Sequence, residues 1–184
     1  TFGIASSWQG INSNTASKSM IEVVSSNINT TNIQFNIDGF HLIPVITPIG
    51  EMNIARLSDG ASLLETGAPD IHKYSRSIII PDLANMELSV INTDFIEIPM
   101  DNIEPSKGNL TRDVDPSTIP YSYGKPYETN EFYPSDIVFL RDPYILRSLR
   151  GQTIVFQPIQ YNPIMRMLRV YTHIEISIQQ NGQS

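Results

Sequence analysis

The sequence predicts an all-β chain: an antiparallel β-sandwich with one long functional loop around residues 101–135. Three observations carry this. Short runs alternating apolar and polar residues recur from residue 20 to residue 178. No amphipathic helix longer than about two turns fits the pattern. Thirteen prolines divide the chain into many short pieces, which suits a sandwich.

The elements follow in order. Residues 1–19 are rich in Ser, Asn, Thr and Gly without periodicity and predict a mobile arm, with Trp8 and Phe2 as local docking groups. MIEVVSS (20–26) and TNIQFNIDGFHLIPV (31–45) alternate. In the second run Ile33, Phe35 and Ile37 share a face opposite Gln34 and Asn36, as in a strand with one wet side. MNIARL (52–57), RSIIIP (76–81), MELSVI (86–91) and FIEIPM (95–100) are further strands. The last two read as a hairpin turning at Asn92, Thr93 and Asp94, good turn residues. After the loop come DIVFL (136–140), YILRSLR (144–150, a short helix or strand), QTIVFQPIQY (152–161) and RMLRVYTHIEISI (166–178). Alternation in the last run falters at Thr172 and His173, the place for a bulge. Asn162 and Pro163 supply the preceding turn, and residues 179–184 read as a linker. The sandwich domain is therefore set at 20–178, with no internal repeat.

Composition narrows the function. At 184 residues with 40% hydrophobic content the chain can bury a core. Zero cysteines exclude disulfides, thiolate catalysis and Cys-based metal sites in this chain. A formal charge of −7 disfavours nucleic acid and suits a basic protein partner or solubility. No apolar run is long enough for membrane insertion. No signal segment opens the chain, so any export signal is expected to have been removed already. His41, His72 and His173 lack ligand spacing. Asp38, Asp59, Asp70, Asp82, Asp101 and Glu104 fall in turn-like segments, which favours Asx-turn roles over ion binding. No metal or cofactor is expected, and no Gly-x-Ser-x-Gly word or Ser-His-Asp order occurs.

The most informative stretch is EPSKGNLTRDVDPSTIPYSYG (104–124). It holds one basic residue, Arg112, between Lys107 and Lys125. Pro105, Pro116 and Pro120 stiffen it, and Gly108 bends it. A loop of this length inside a compact domain ordinarily has a task. An isolated arginine on a stiff extended loop is what the cleft of an Arg-specific protease accepts. The competing reading is a solvated charge paired to Asp113 and Asp115 for little net stability. Tyr121, Tyr123, Tyr127, Phe132 and Tyr133 serve either loop packing or an interface. Arg141, Arg147 and Arg150 read as an intradomain ion-pair and capping network, with a maturation cleavage site as the alternative.

Four longer segments resemble a known family: GAPDIHKYSRSIIIP (67–81), EPSKGNLTRDVDPSTIPYSYGKPYETNEFYP (104–134), LRDPYILRSLRGQ (140–152) and PIQYNPIMRMLRVYTHIEI (158–176). In the order and spacing of their unusual words they resemble the N-terminal propeptide of the gingipain family of cysteine proteases, peptidase family C25. The resemblance is most specific over about residues 65–178. It implies a periplasmic or secreted bacterial zymogen whose β-sandwich propeptide assists folding of the protease and covers its active site until removed. The partner is then the cognate C25 catalytic domain, and the chain itself is no enzyme. In this family a basic side chain from the loop after PSKG enters the specificity pocket; here that position is Arg112, which implies an Arg-specific target. Leu110 and Thr111 would lie on the non-primed side and Asp113 and Asp115 beyond the scissile position, with acidic groups opposing an attacking thiolate. Lys107, Tyr121 and Tyr123 complete the expected protease-binding set. Ser135 and Asp136 depart from the family pattern, where Gly is common. The alternatives from other classes are a non-catalytic β-sandwich binding module of an exported surface protein and a glycosidase-like sandwich, for which nothing positions an acid and a nucleophile.

Overall fold

A computed structural model describes residues 5–183. Phe2, an expected docking group, lies outside the described residues. Thirteen strands follow in chain order: β1 (Ser7–Gly10), β2 (Met20–Ser26), β3 (Thr30–Asn36), β4 (Gly39–Thr47), β5 (Gly50–Arg56), β6 (Ala61–Ser62), β7 (His72–Ile79), β8 (Ala84–Pro99), β9 (Val138–Leu140), β10 (Tyr144–Leu146), β11 (Leu149–Phe156), β12 (Ile159–Asn162) and β13 (Met167–Gln183). All pairings between them are antiparallel. The predicted all-β architecture is the one observed.

Three sheets result. One has the order β1-β4-β5. A second runs β10-β11-β7-β6, with β9 also on β11. The third runs β12-β13-β3-β2, with β8 on the other side of β13. The two larger sheets meet face to face where the Phe35 ring of β3 stacks on Phe156 of β11 at 4.5 Å and 12°, with Tyr74 of β7 tilted against it at 5.3 Å. Ile33, Phe35 and Ile37 are buried, as their shared parity requires. Phe40 and Ala55 from the smaller sheet join the same cluster, so one core formed from this chain alone serves all three sheets.

Several elements differ from expectation, each for a tertiary reason. The run 31–45 is two strands in different sheets, broken at Ile37 and Asp38. The corner is tight: a Cβ on Gly39 would sit 2.3 Å from the Gln9 carbonyl oxygen and 2.6 Å from the Trp8 ring. That close approach belongs to β1, which contradicts a wholly mobile arm. Ser7–Gly10 pairs with β4, and the Trp8 indole N–H donates to the Ser13 carbonyl at 2.9 Å and packs edge-on against His41 at 5.0 Å. Asp38 and Asp59 then accept from Ser17 and Ser19, tying the rest of the segment down. At the other end, β13 runs through residues 179–183, pairing Gln179 with Thr30 and Gln183 with Ala84, so the expected linker is strand.

The expected hairpin at Asn92–Asp94 does not form. β8 is one strand along β13, with Asn92 opposite Glu175, Thr93 opposite Ile174 and Asp94 opposite His173. Turn composition is a local preference, and the ladder offered by a 17-residue partner outweighs it. Besides an irregularity between Gln180 and Gln183 near the end of the ladder, each strand carries one extra residue, Ile91 on β8 and Thr172 on β13. These two bulges compensate, so Met86 and Leu88 before them and Ile96 and Ile98 after them all turn toward the core. The bulge on β13 is the one expected at Thr172 and His173. YILRSLR is the β10–β11 hairpin, with Arg147 at φ 58° in its two-residue turn.

Candidate functional site

Between β8 and β9, residues 100–137 contain only two short 3-10 turns, Pro116–Thr118 and Lys125–Tyr127. Ile103, Glu104, Pro105 and Ser106 are buried, which makes this entry to the loop part of the fold. The Glu104 N–H donates to the Asn53 carbonyl at 2.9 Å, and the Glu104 carbonyl accepts from Asp70 at 2.8 Å. Ser106 donates to the Ala68 carbonyl at 2.7 Å and accepts from Gly67 at 2.9 Å. The chain then reverses at Gly108, whose φ of 85° favours glycine. A Cβ there would lie 2.2 Å from the Thr66 hydroxyl oxygen.

Arg112 lies at the tip beyond this bend. The Val114 N–H donates to the Thr111 carbonyl at 3.1 Å, closing a β-turn with Arg112 and Asp113 at its centre. The turn corrects the expectation of an extended segment at Arg112. Thr111, Arg112 and Asp113 are exposed, and Leu110 is half-buried. Among the described residues Arg112 makes no hydrogen bond and no ion pair. Neither Asp113 nor Asp115 makes the ion pair with Arg112 that a solvated charge would adopt. The Thr111 hydroxyl and Asp113's own N–H hold the Asp113 carboxyl below the usual carboxylate range. Asp115 caps the first 3-10 turn, accepting from the Ser117 N–H at 2.8 Å, and is held low by that bond.

The expected binding residues thus divide into a tip and a brace. Leu110, Thr111, Arg112 and Asp113 form the tip. Lys107 and Tyr121 brace it: the Lys107 ammonium donates to the Pro116 carbonyl at 2.8 Å and lies 4.2 Å from the centre of the Tyr121 ring. The Tyr121 hydroxyl donates to the Glu104 carboxylate at 2.8 Å. Burial and that bond push Tyr121 up to about 12. Tyr123 packs edge-on against Tyr127 at 4.9 Å, and the Tyr127 hydroxyl donates to the Ile103 carbonyl at 2.7 Å. The far end of the loop is anchored too. The Arg169 guanidinium lies 3.8 Å from the Phe132 ring centre and 4.9 Å from that of Phe95, while bonding Glu97 at 2.7 Å. The Tyr133 hydroxyl donates to Glu65 at 2.7 Å.

Beneath the loop is a group of ionisable side chains in which Glu104 and His72 are buried and Asp70 and Arg56 half-buried. Glu104, Asp70, His72 and Arg56 converge there, contributed by the loop, the segment before β7, β7 and β5. Burial raises the Glu104 and Asp70 carboxyls, and their mutual repulsion adds to Glu104. Burial, then the Arg56 charge, lowers the His72 imidazole from 6.5 to about 4, against a hydrogen bond with the Leu57 backbone. The separation of these residues in sequence gave no sign of the cluster. Among the described residues no set of three or more His, Asp or Glu is disposed to hold a metal ion. Nor is any helix long and apolar enough to cross a membrane.

Comparison with known proteins places this architecture. The Propeptide_C25 family model matches residues 13–184. The chain is 40% identical over 153 residues to gingipain R1 of Porphyromonas gingivalis and 34% identical over 164 residues to gingipain R2 of the same organism. These matches cover 83% and 89% of this chain but 15% and 22% of those relatives, so it spans only a small part of their length. Among solved structures it resembles the complex of Porphyromonas gingivalis RgpB pro- and mature domains, with a TM-score of 0.83, 34% identity, and coverage of 89% of this chain and 86% of that one. A structure addressing zymogenic latency of gingipain K from the same organism shares the fold, with a TM-score of 0.82 at 17% identity over 97% of this chain and all of that one. The chain belongs to the propeptide family of the C25 peptidases, as a gingipain-type prodomain and not the catalytic domain.

Proposed function

We propose that this domain keeps an exported, gingipain-like cysteine protease latent by inserting Arg112 into its specificity pocket, and that it assists folding of that protease. The observation that carries the reading is the exposed Arg112 on a closed turn, with no ion-pair partner among the described residues. An arginine held ready in this way needs no internal ion pair broken before it binds. In a pocket built for arginine, the guanidinium forms a planar, bidentate pair with a buried carboxylate. The partner is the cognate C25 catalytic domain, in line with the relative solved as a complex of pro- and mature domains.

The turn also supports a way for a substrate-like residue to inhibit. Peptides that add to a sheet edge do so as extended strands. Here the Thr111–Val114 bond folds the chain back directly after Arg112. The side chain reaches the pocket while its carbonyl is held off the near-attack geometry. The Lys107–Tyr121–Glu104 brace resists opening of that turn.

The test is inhibition of the mature cognate protease by the purified domain. Desolvated arginine anchors are worth roughly 2–4 kcal/mol, so Arg112→Ala should raise the inhibition constant at least about tenfold. Arg112→Lys should also weaken it, because an ammonium cannot replace the bidentate fork. An unchanged constant for Arg112→Ala removes this residue from the mechanism.

A further inference from the structure

Beside the Arg112 loop is an apolar cleft of about 590 Å3 that the proposed arginine contact does not use. One wall is the tip of the β4–β5 hairpin, with Ile46 and Ile49; the other is the loop just after the arginine turn, with Ile119, Pro120 and Tyr123. Ile46 is 79% exposed and Ile49 is 69% exposed. Turns of this kind favour Gly, Asn and Asp, and an isoleucine there gains nothing from its own fold. The tip is nevertheless stiff. Pro48 fixes one central φ, and the buried Thr47 hydroxyl donates to the Gly50 carbonyl at 2.8 Å while accepting from the Ile49 N–H at 3.3 Å. A rigid turn that presents apolar groups to water has the form of a preorganised contact.

Position identifies the occupant. Ser117 on the cleft's edge is five steps along the chain from Arg112, which at about 3.6 Å each keeps their backbones within about 18 Å. A stable interface covers roughly 800 Å2 per partner, a patch about 30 Å across. A patch of that width that takes in Arg112 has room to take in the cleft as well. We propose that the cleft takes an apolar side chain from the rim of the mature protease domain. This gives the prodomain a second, arginine-independent attachment that holds it in place when the Arg112 turn is withdrawn or cut. The inference rests on the protease being the partner, but not on Arg112 being the inhibitory residue.

The experiment separates the two. Binding of the prodomain is measured to the mature cognate protease, both free and with its specificity pocket filled by a covalent arginyl inhibitor. Wild type, Arg112→Ala and the double variant Ile46→Ser, Ile49→Ser are compared. Because both isoleucines are exposed, the double variant should keep the wild-type melting temperature, which is checked first. The expected result is measurable binding of wild type and Arg112→Ala to the blocked enzyme, reduced at least about tenfold by the double substitution, chiefly as faster dissociation. Equal affinity of wild type and double variant for the blocked enzyme overturns the cleft assignment. So does loss of prodomain self-association in the double variant with protease binding unchanged, which would make a second copy the occupant. If Arg112→Ala inhibits as well as wild type while the double variant still loses affinity, the arginine reading falls and the cleft stands.

Discussion

Acid should destabilise this domain through His72. The residue is 8% exposed, its Nδ1 finds no partner among the described residues, and the Arg56 charge lies near it. Its imidazole is held at about 4, against 6.5 in the unfolded chain. Between those values the unfolded state binds more protons than the native state, so stability falls as the pH drops through the window. At about 1.4 kcal/mol per pKa unit the gap is worth about 3 kcal/mol. For a domain of this size that corresponds to a melting temperature lower by about 6–12 °C. Asp70 and Glu104 act in the opposite direction. Burial raises both carboxyls, so the native state takes up their protons first and gains stability as the pH falls through those raised values. The assay is therefore comparative: denaturant unfolding of wild type and His72→Gln at pH 7, 6, 5 and 4.5. The wild-type curve should fall more steeply with acid than the variant's. Identical pH slopes in the two proteins would refute the reasoning, because the buried neutral imidazole would then contribute nothing to the linkage.

Two further outcomes follow from the base of the loop. Gly108→Ala places a methyl group against Thr66 at a φ of 85°, so it should cost about 1–3 kcal/mol and weaken protease inhibition; an unchanged melting temperature would show that the bend relaxes freely. Tyr121→Phe removes the donor to a carboxylate that is 9% exposed and should cost about 1–3 kcal/mol in denaturant unfolding; a loss of only a few tenths would mean that water replaces the hydroxyl.

Much of this protein was legible locally. Period-two alternation, as in Ile33, Phe35 and Ile37, fixed the strand character and the buried face, because side-chain direction in a strand depends only on the pleat. Prolines and Gly108 marked the long loop, because they act on their own dihedral angles and those of their neighbours. The faltering pattern at Thr172 and His173 marked the bulge. What failed was pairing. Asn92–Asp94 has the composition of a turn, and only the presence of β13 along its whole length makes it strand. The polar composition of residues 7–10 and 179–183 suggests an arm and a linker, yet backbone bonds to distant strands ignore composition.

A β-rich, cysteine-free chain with one arginine set apart on a proline-braced loop can be read from the residues alone, since each of these is a property of single residues or of near neighbours. Only the assembled fold puts the arginine on a closed turn with no carboxylate partner among the described residues, gathers the buried Glu104 and His72 with the half-buried Asp70 and Arg56 beneath it, and stands two exposed isoleucines beside it. Those facts depend on which distant segments meet. Such meetings are set by the burial of a shared core and the completion of backbone ladders, neither of which a local window contains.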